Sequence, residues 1–351
     1  MEEPDLDDAR KRYHFALAPE DFERLPFYSA LIRELEHDDL ALELLASVRV
    51  EQRNPMLILA TLQLAALCGH RVLGRIYDAA RHGLLDDPAE SARDVLAVLH
   101  ESPDLVRDEL WRSTQTNEPG RSAVLRAVIR DIVPDVPGII DVIEVGTSAG
   151  INLRFDQFSV RALDDGQPLT LICDDLSPID RATPLPIVRA RVGIDPHPLS
   201  LERNDDRHWL KACLWPEERR RHDRFDAIVA AYPFWPAITV LQGRALERMN
   251  DAFFLTDPDT LTVVMNTWVV LYFSEEERRA YFDELSRRCR VDNVAWISIE
   301  STLIEWPGVT HDEEQQHRGA SQIVVTRPGA APSLWGWCHA HGRWLERITI
   351  P

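Results

Sequence analysis

A chain of 351 residues, 45% hydrophobic and 28% charged, is long enough for one large domain or two ordinary ones and has a globular composition. Its 39 basic residues against 58 acidic ones leave a formal charge of −19, a field that repels a polyphosphate backbone and argues against a broad nucleic-acid footprint. Five scattered cysteines without a CxxC pair argue against a disulfide framework or a zinc site, and the longest apolar run, Met56 to Cys68, falls short of the ~20 residues a bilayer span needs. The expectation is a soluble, cytoplasmic protein whose partner is a small molecule, with no nucleic acid, membrane or metal; the oligomeric state is not encoded in any pattern here.

The start, MEEPDLDDARKR, is acidic and lacks the apolar stretch of a signal peptide, so residues 1–12 read as a disordered acidic tail. Residues 13–133 read as helices. Apolar residues recur at helical spacing in Phe27–Ile32–Leu35, in Leu40–Leu44–Leu45–Val48 and in Met56–Leu59–Leu62–Leu67. Arg71–His82, Pro88–His100, Pro103–Trp111 and Pro119–Val133 follow. Pro26, Pro55, Pro88, Pro103 and Pro119 stand near helix starts, where a missing N–H does no harm, and Gly69 and Gly83 look like stops.

From residue 134 the pattern changes to short apolar runs, turns and helical stretches in alternation. Ile139–Val145, Arg189–Ile194, Thr239–Gln242, Leu261–Met265 and Val294–Ile299 read as buried strands. Helices are expected over Ile151–Phe158, Asp205–Leu214, Pro216–Tyr232 and Ser274–Arg288. An extra segment at about 159–176, turning through Asp164-Asp165-Gly166, reads as an inserted β-hairpin. Gln322–Thr326 and Trp335–Ile350 read as two strands in hairpin succession. The residues thus predict an α/β fold: a mostly parallel, Rossmann-like sheet over 134–351 with an antiparallel C-terminal hairpin, behind an all-helical N-terminal region.

The most informative string is Ile139-Ile-Asp-Val-Ile-Glu-Val-Gly-Thr-Ser-Ala-Gly150. A strand ends in Glu144, turns through Gly146 to Gly150 and enters a helix, whose N-terminus offers amides to an anionic or carboxylate-bearing cofactor. Gly146-Thr-Ser148-Ala-Gly150 also matches the G-x-S-x-G elbow of α/β hydrolases, with Ser148 as nucleophile and His339 or His341 as base. Against the elbow stand the helical rather than stranded region before it, the missing oxyanion loop upstream and Thr147 where a bulky residue is usual. Downstream, Val192-Gly-Ile-Asp195 ends the next parallel strand with a carboxylate suited to ribose hydroxyls. Its distance in sequence from Glu144 far exceeds the usual ~20 residues, an excess the inserted segment absorbs.

Arg112-Ser-Thr-Gln-Thr-Asn-Glu-Pro-Gly-Arg121, Glu144-Val-Gly-Thr-Ser-Ala-Gly-Ile-Asn-Leu153, Arg191-Val-Gly-Ile-Asp195, Trp209-Leu with Trp215-Pro216, Asn266-Thr-Trp-Val269 and His341-Gly-Arg-Trp344 resemble the signature strings of a bacterial family, domain of unknown function 2332. The resemblance spans roughly Leu25 to Ile348 and implies a fold like that of class I S-adenosylmethionine-dependent methyltransferases. It implies S-adenosylmethionine as cofactor, held by Glu144, Gly146, Thr147, Ser148, Gly150, Asn152, Asp195 and Ala245. Gln242-Gly-Arg-Ala245 resembles the turn that holds the adenine, although Arg244 stands where an Asp is common. The activity implied is methyl transfer to a small molecule, with no catalytic residue assigned; the alternatives are the Ser148 hydrolase and a non-catalytic nucleotide-binding module.

Candidates for the substrate side are Gln115, Asn117 and Arg121, from a polar segment between two helices, Asn266 and Trp268 at a strand tip, and His341. Arg121 suits a carboxylate. Trp268 suits an aromatic wall, or a plug on the core. Asn117 and Thr116 are equally natural helix caps before Pro119. His339 and His341 alternate as metal ligands on a strand would, but no third ligand is apparent, so His341 is read as a pocket residue or base.

Overall fold

The computed structural model describes residues 5–16, 24–133, 138–161, 169–175, 184–309 and 320–348. The chain divides into two compact units, Met1–Thr116 with Ser200–Ala230, and Asn117–Leu199 with Ala231–Pro351. The division expected at residue 133 therefore moves. Helix packing decides this: the Glu217 carboxylate accepts from the amides of Phe27 and Tyr28, and the Gln63 amide donates to the carbonyls of Lys211 and Leu214. The 200–230 stretch thus completes the helical unit.

That unit contains α1 (Leu6–His14), α2 (Pro26–Glu36), α3 (Asp39–Ser47), α4 (Pro55–Leu67), α5 (Arg71–His82), α6 (Pro88–Glu101) and the single turn α7 (Asp104–Arg107). The expected disordered tail is helical from Leu6. Asp5 caps α1 by accepting from Asp8 N, Asp8 is held by Arg12 and Arg53, and Ala9 and Tyr13 are buried. Pro26, Pro55 and Pro88 each open a helix, and Gly83 ends α5 in the left-handed conformation at φ 65°. Buried on nearly every side, α4 is apolar because it is the central helix of the unit. Among the described residues no single helix is long and apolar enough to cross a membrane.

In the second unit α8 (Arg121–Ile132) precedes a nine-stranded sheet. Its strands are β1 (Ile139–Val145), β4 (Asp174–Asp175), β5 (Ile187–Asp195), β6 (Thr239–Gln242), β7 (Leu261–Thr267), β8 (Val294–Ser301), β9 (Ala320–Thr326), β10 (Ser333–His339) and β11 (Trp344–Arg347), in the spatial order β4-β11-β10-β9-β8-β7-β1-β5-β6. The run β8-β7-β1-β5-β6 is parallel throughout, and β8 to β11 form an antiparallel meander. Three C-terminal strands replace the expected two, because Gly342 at φ 69° turns the chain after His339.

The expected hairpin at 159–176 is not one. β2 (Ser159–Arg161) and β3 (Thr170–Ile172) pair in parallel as a separate ribbon, and the chain continues into β4 at the far edge of the main sheet beside β11. The Asp164-Asp165-Gly166 turn lies outside the described residues. After β1, the expected helix is a short 3₁₀ segment, Asn152–Gln157, with non-helical geometry at Arg154. Buried Arg191 explains the break: it bonds the Leu153 carbonyl and grips Asp156 with both terminal nitrogens.

The helices α9 (Asn204–Ala212) and α10 (Arg219–Ala231) lie in the excursion between β5 and β6, followed by α11 (Ala245–Phe254) and α12 (Glu275–Val291). α11 and α12 pack on the β1–β5–β7–β8 face through Ile143, Val145, Val192, Ile194 and Val264. Phe282 stacks on Trp306 there at 4.4 Å between ring centroids.

Candidate functional site

From β1 the chain builds outward to β5 and β6, then returns to the other side of β1 to lay down β7 and β8. The order reverses between β1 and β7, and ligands of open α/β sheets bind beyond the carboxyl ends of the strands at such a reversal. Val145, the last residue of β1, pairs with Ile194 and Asn266. Just beyond lie Gly146–Gly150, Asp195–His197 and Thr267–Val270. Among the described residues only two non-glycines have positive φ, Ser148 at 51° and Trp268 at 57°, and both are on this edge. For a Trp this conformation is a genuine outlier, and such strain gathers at ligand sites.

Glu144 and Asp195 end adjacent strands, with Glu144 opposite Gly193. Both are buried. Burial pushes the Glu144 carboxyl up to about 8 against the pull of the Thr147 hydroxyl, 2.7 Å away, while the Asp195 charge adds to the rise and Arg121 opposes it. Burial also raises Asp195, against the amides of His197 and Ser148, which donate to its two oxygens at 2.8 Å each. Gly193 is small because Thr147 occupies the space of a Cβ.

The backbone of the turn differs from the open amide cradle expected of it. Gly146 N and Thr147 N donate to Ile194 O, Ser148 N to Asp195, Gly150 N to Thr147 O and Ile151 N to the Asn117 side chain. A Cβ on Gly146 would strike Val269, and one on Gly150 would strike Ile238. These glycines make room for side chains of the protein itself. Asn152, another cofactor candidate, is buried with Oδ1 accepting from Ser122 Oγ at 2.8 Å. Ala245 opens α11 just past the end of β6, where Gly243 N bonds Asp195 O, so it does come to the same edge. Arg244 faces solvent and pairs with Glu277.

The segment before α8 folds over this edge. Arg121 is only 6% exposed. Its Nε donates to Ala340 O at 2.9 Å, and its Nη1 to Thr267 O at 3.2 Å and, more weakly, Thr267 Oγ1 at 3.5 Å. Its guanidinium carbon lies 5.9 Å from the centre of the Trp268 ring, whose indole N–H is fixed by Ser321 Oγ at 2.9 Å. His341 is half-buried, and its amide donates to His339 Nδ1 at 2.9 Å. Asn117, Arg121, Trp268 and His341 therefore belong to one unit. Gln115 belongs to the helical unit, where its amide faces Cys213 Sγ at 3.5 Å.

Residues 11–347 match the family described as "Uncharacterized protein conserved in bacteria (DUF2332)". The chain belongs to this family. Comparison with curated proteins finds no match, and neither does comparison with solved structures.

In this DUF2332 protein Asn266 is a core residue rather than a substrate contact. Its Nδ2 donates to Ser298 Oγ and Glu300 Oε1, both at 2.7 Å, and its Oδ1 accepts from Trp296 Nε1 and Tyr281 OH. That saturates the amide. Glu300, absent from the sequence-based candidates, organises the same edge: it accepts from the amides of Val269 and Val270, and so holds the turn that strains Trp268. Burial pushes its carboxyl up to about 7 against those amides. Its sole sequence signal is a glutamate inside the apolar run Val294–Ser301.

Ser148 has the backbone strain of a nucleophile elbow, but its Oγ is buried and has no hydrogen-bond partner among the described residues, so none of their histidines is poised to take its proton. Among the described residues no three His, Cys, Asp or Glu side chains are grouped to hold a metal.

Proposed function

We propose that this protein is an S-adenosylmethionine-dependent methyltransferase acting on a small molecule, with its ligands at the carboxyl ends of β1, β5 and β7. One observation carries the reading: two buried carboxylates, Glu144 and Asp195, end neighbouring strands beside the point where a parallel sheet reverses its order. Parallel strands taken in chain order as third-second-first-fourth-fifth have the arrangement of a nucleotide-binding sheet.

The donor set suits this cofactor. Two clustered carboxylates, each raised by burial and neither in an ion pair among the described residues, are stabilised by a ligand carrying an ammonium group and ribose hydroxyls. Ser148 Oγ adds an unsatisfied polar atom on the same turn. The amides of Gly146, Thr147, Ser148, Gly150 and Ile151 are spent on the protein, so Glu144, Asp195 and Ser148 would hold the cofactor mainly by side chains, with Ala245 near the adenine. When bound, the sulfonium supplies an electrophilic methyl group. The chain's part is to orient the acceptor and exclude water, which needs no dedicated base where the acceptor is already nucleophilic.

Calorimetric titration with S-adenosylmethionine tests the reading. Micromolar binding, weakened by Glu144→Gln in a folded protein, supports it. No heat at millimolar cofactor removes it, and binding without transfer to any component of a metabolite extract favours a non-catalytic binding module.

A further inference from the structure

Arg121 is a buried cation with an unused end. Its hydrogen bonds come from Nε and Nη1 and go to uncharged oxygens, and Nη2 has no partner among the described residues. Among the described residues no carboxylate hydrogen-bonds to it; the charges of Glu118 and Glu300 act on it from further off. A guanidinium taken out of water without a carboxylate in hydrogen-bonding contact is costly, and the cost is tolerated where a ligand supplies that contact.

The surroundings hold that guanidinium in one place. A Cβ on Gly120 would collide with the His341 carbonyl and one on Gly342 with the Gly120 carbonyl, so the backbone entering Arg121 packs directly on the β10–β11 turn. Trp268, held at positive φ by Glu300 and Ser321, flanks its face. The charges of Arg121 and Glu144 are close enough to act on one another, and Arg121 and Glu300 likewise. A cation with a free edge, and acids near enough to feel its charge, match a zwitterion rather than a dianion.

We propose that Arg121 reads the carboxylate of an α-amino-acid head group, with the ammonium toward Glu144. Two sources share this chemistry, a free amino acid and the methionyl end of S-adenosylmethionine; the second rests on the methyltransferase reading. A fork from guanidinium to carboxylate, formed where water is excluded, contributes about 10- to 100-fold in affinity.

The test is calorimetric titration of the full chain with four probes: L-methionine, L-methioninamide, S-adenosylmethionine and its decarboxylated analogue. Within each pair the carboxylate-bearing probe is expected to bind about 10- to 100-fold tighter. Arg121→Lys and Arg121→Gln, checked for folding by their thermal transitions, are expected to shrink that ratio toward one. The wild-type ratios need no variant and decide the matter even if both variants unfold. Carboxylate-dependent binding of methionine without binding of either adenosyl compound keeps the Arg121 assignment and removes the methyltransferase reading. Equal binding of S-adenosylmethionine and its decarboxylated analogue does the reverse. Silence from all four probes overturns both.

Discussion

Gly120 and Gly342 lie at one backbone crossing: the His341 carbonyl fills the space a Cβ on Gly120 would need, and the Gly120 carbonyl fills the space a Cβ on Gly342 would need. The contact clamps the segment that carries Arg121 onto the turn after β10. Gly120→Ala is expected to cost about 1–3 kcal/mol, because the obstacle is a carbonyl that cannot rotate away. Gly342→Ala should cost about 1 kcal/mol more, since Gly342 also sits at φ 69°. Urea denaturation measures both; Ala variants as stable as wild type would show that the crossing is loose.

Glu144 makes stability fall as pH rises. Its carboxyl is raised from 4.5 to about 8 by burial, so between those values the folded chain keeps a proton that the unfolded chain has lost. The stabilisation is complete below about 4.5 and is lost as pH passes through 8, at up to about 1.4 kcal/mol per pH unit. Glu144→Gln, which cannot ionise, should gain on wild type steadily from pH 5 to pH 8 in urea melts. Parallel pH profiles for the two proteins would contradict a raised Glu144.

Asn266→Ala should damage the fold rather than ligand recognition. It leaves the Trp296 indole N–H, the Tyr281 hydroxyl and Ser298 short of a partner and takes a donor from Glu300. The expected loss is about 2–4 kcal/mol, read as a drop in Tm. A variant that keeps its Tm but loses ligand affinity would return Asn266 to the substrate side.

Ser148 separates strain from nucleophilicity. Ser148→Gly relieves the left-handed backbone and should be at least as stable as wild type, within about 1 kcal/mol, whereas Ser148→Val should lose about 2 kcal/mol. A fluorophosphonate is expected to leave Ser148 unlabelled, because its Oγ is buried and lacks a base. Labelling at Ser148 would revive the hydrolase alternative.

Periodicity and turn chemistry were enough to place β1, β5, β6, β7 and β8, most of the N-terminal helices and the acid–glycine string Glu144–Gly150, since each is encoded within a few neighbouring residues. Only the tertiary structure assigned 200–230 to the helical unit, paired β2 with β3 in parallel, saturated Asn266, brought Glu300 under the Trp268 turn and left one end of Arg121 without a partner. Each of those outcomes depends on groups from about ten to about two hundred positions apart competing for the same hydrogen bonds and the same space. A local pattern carries no record of who wins such a contest.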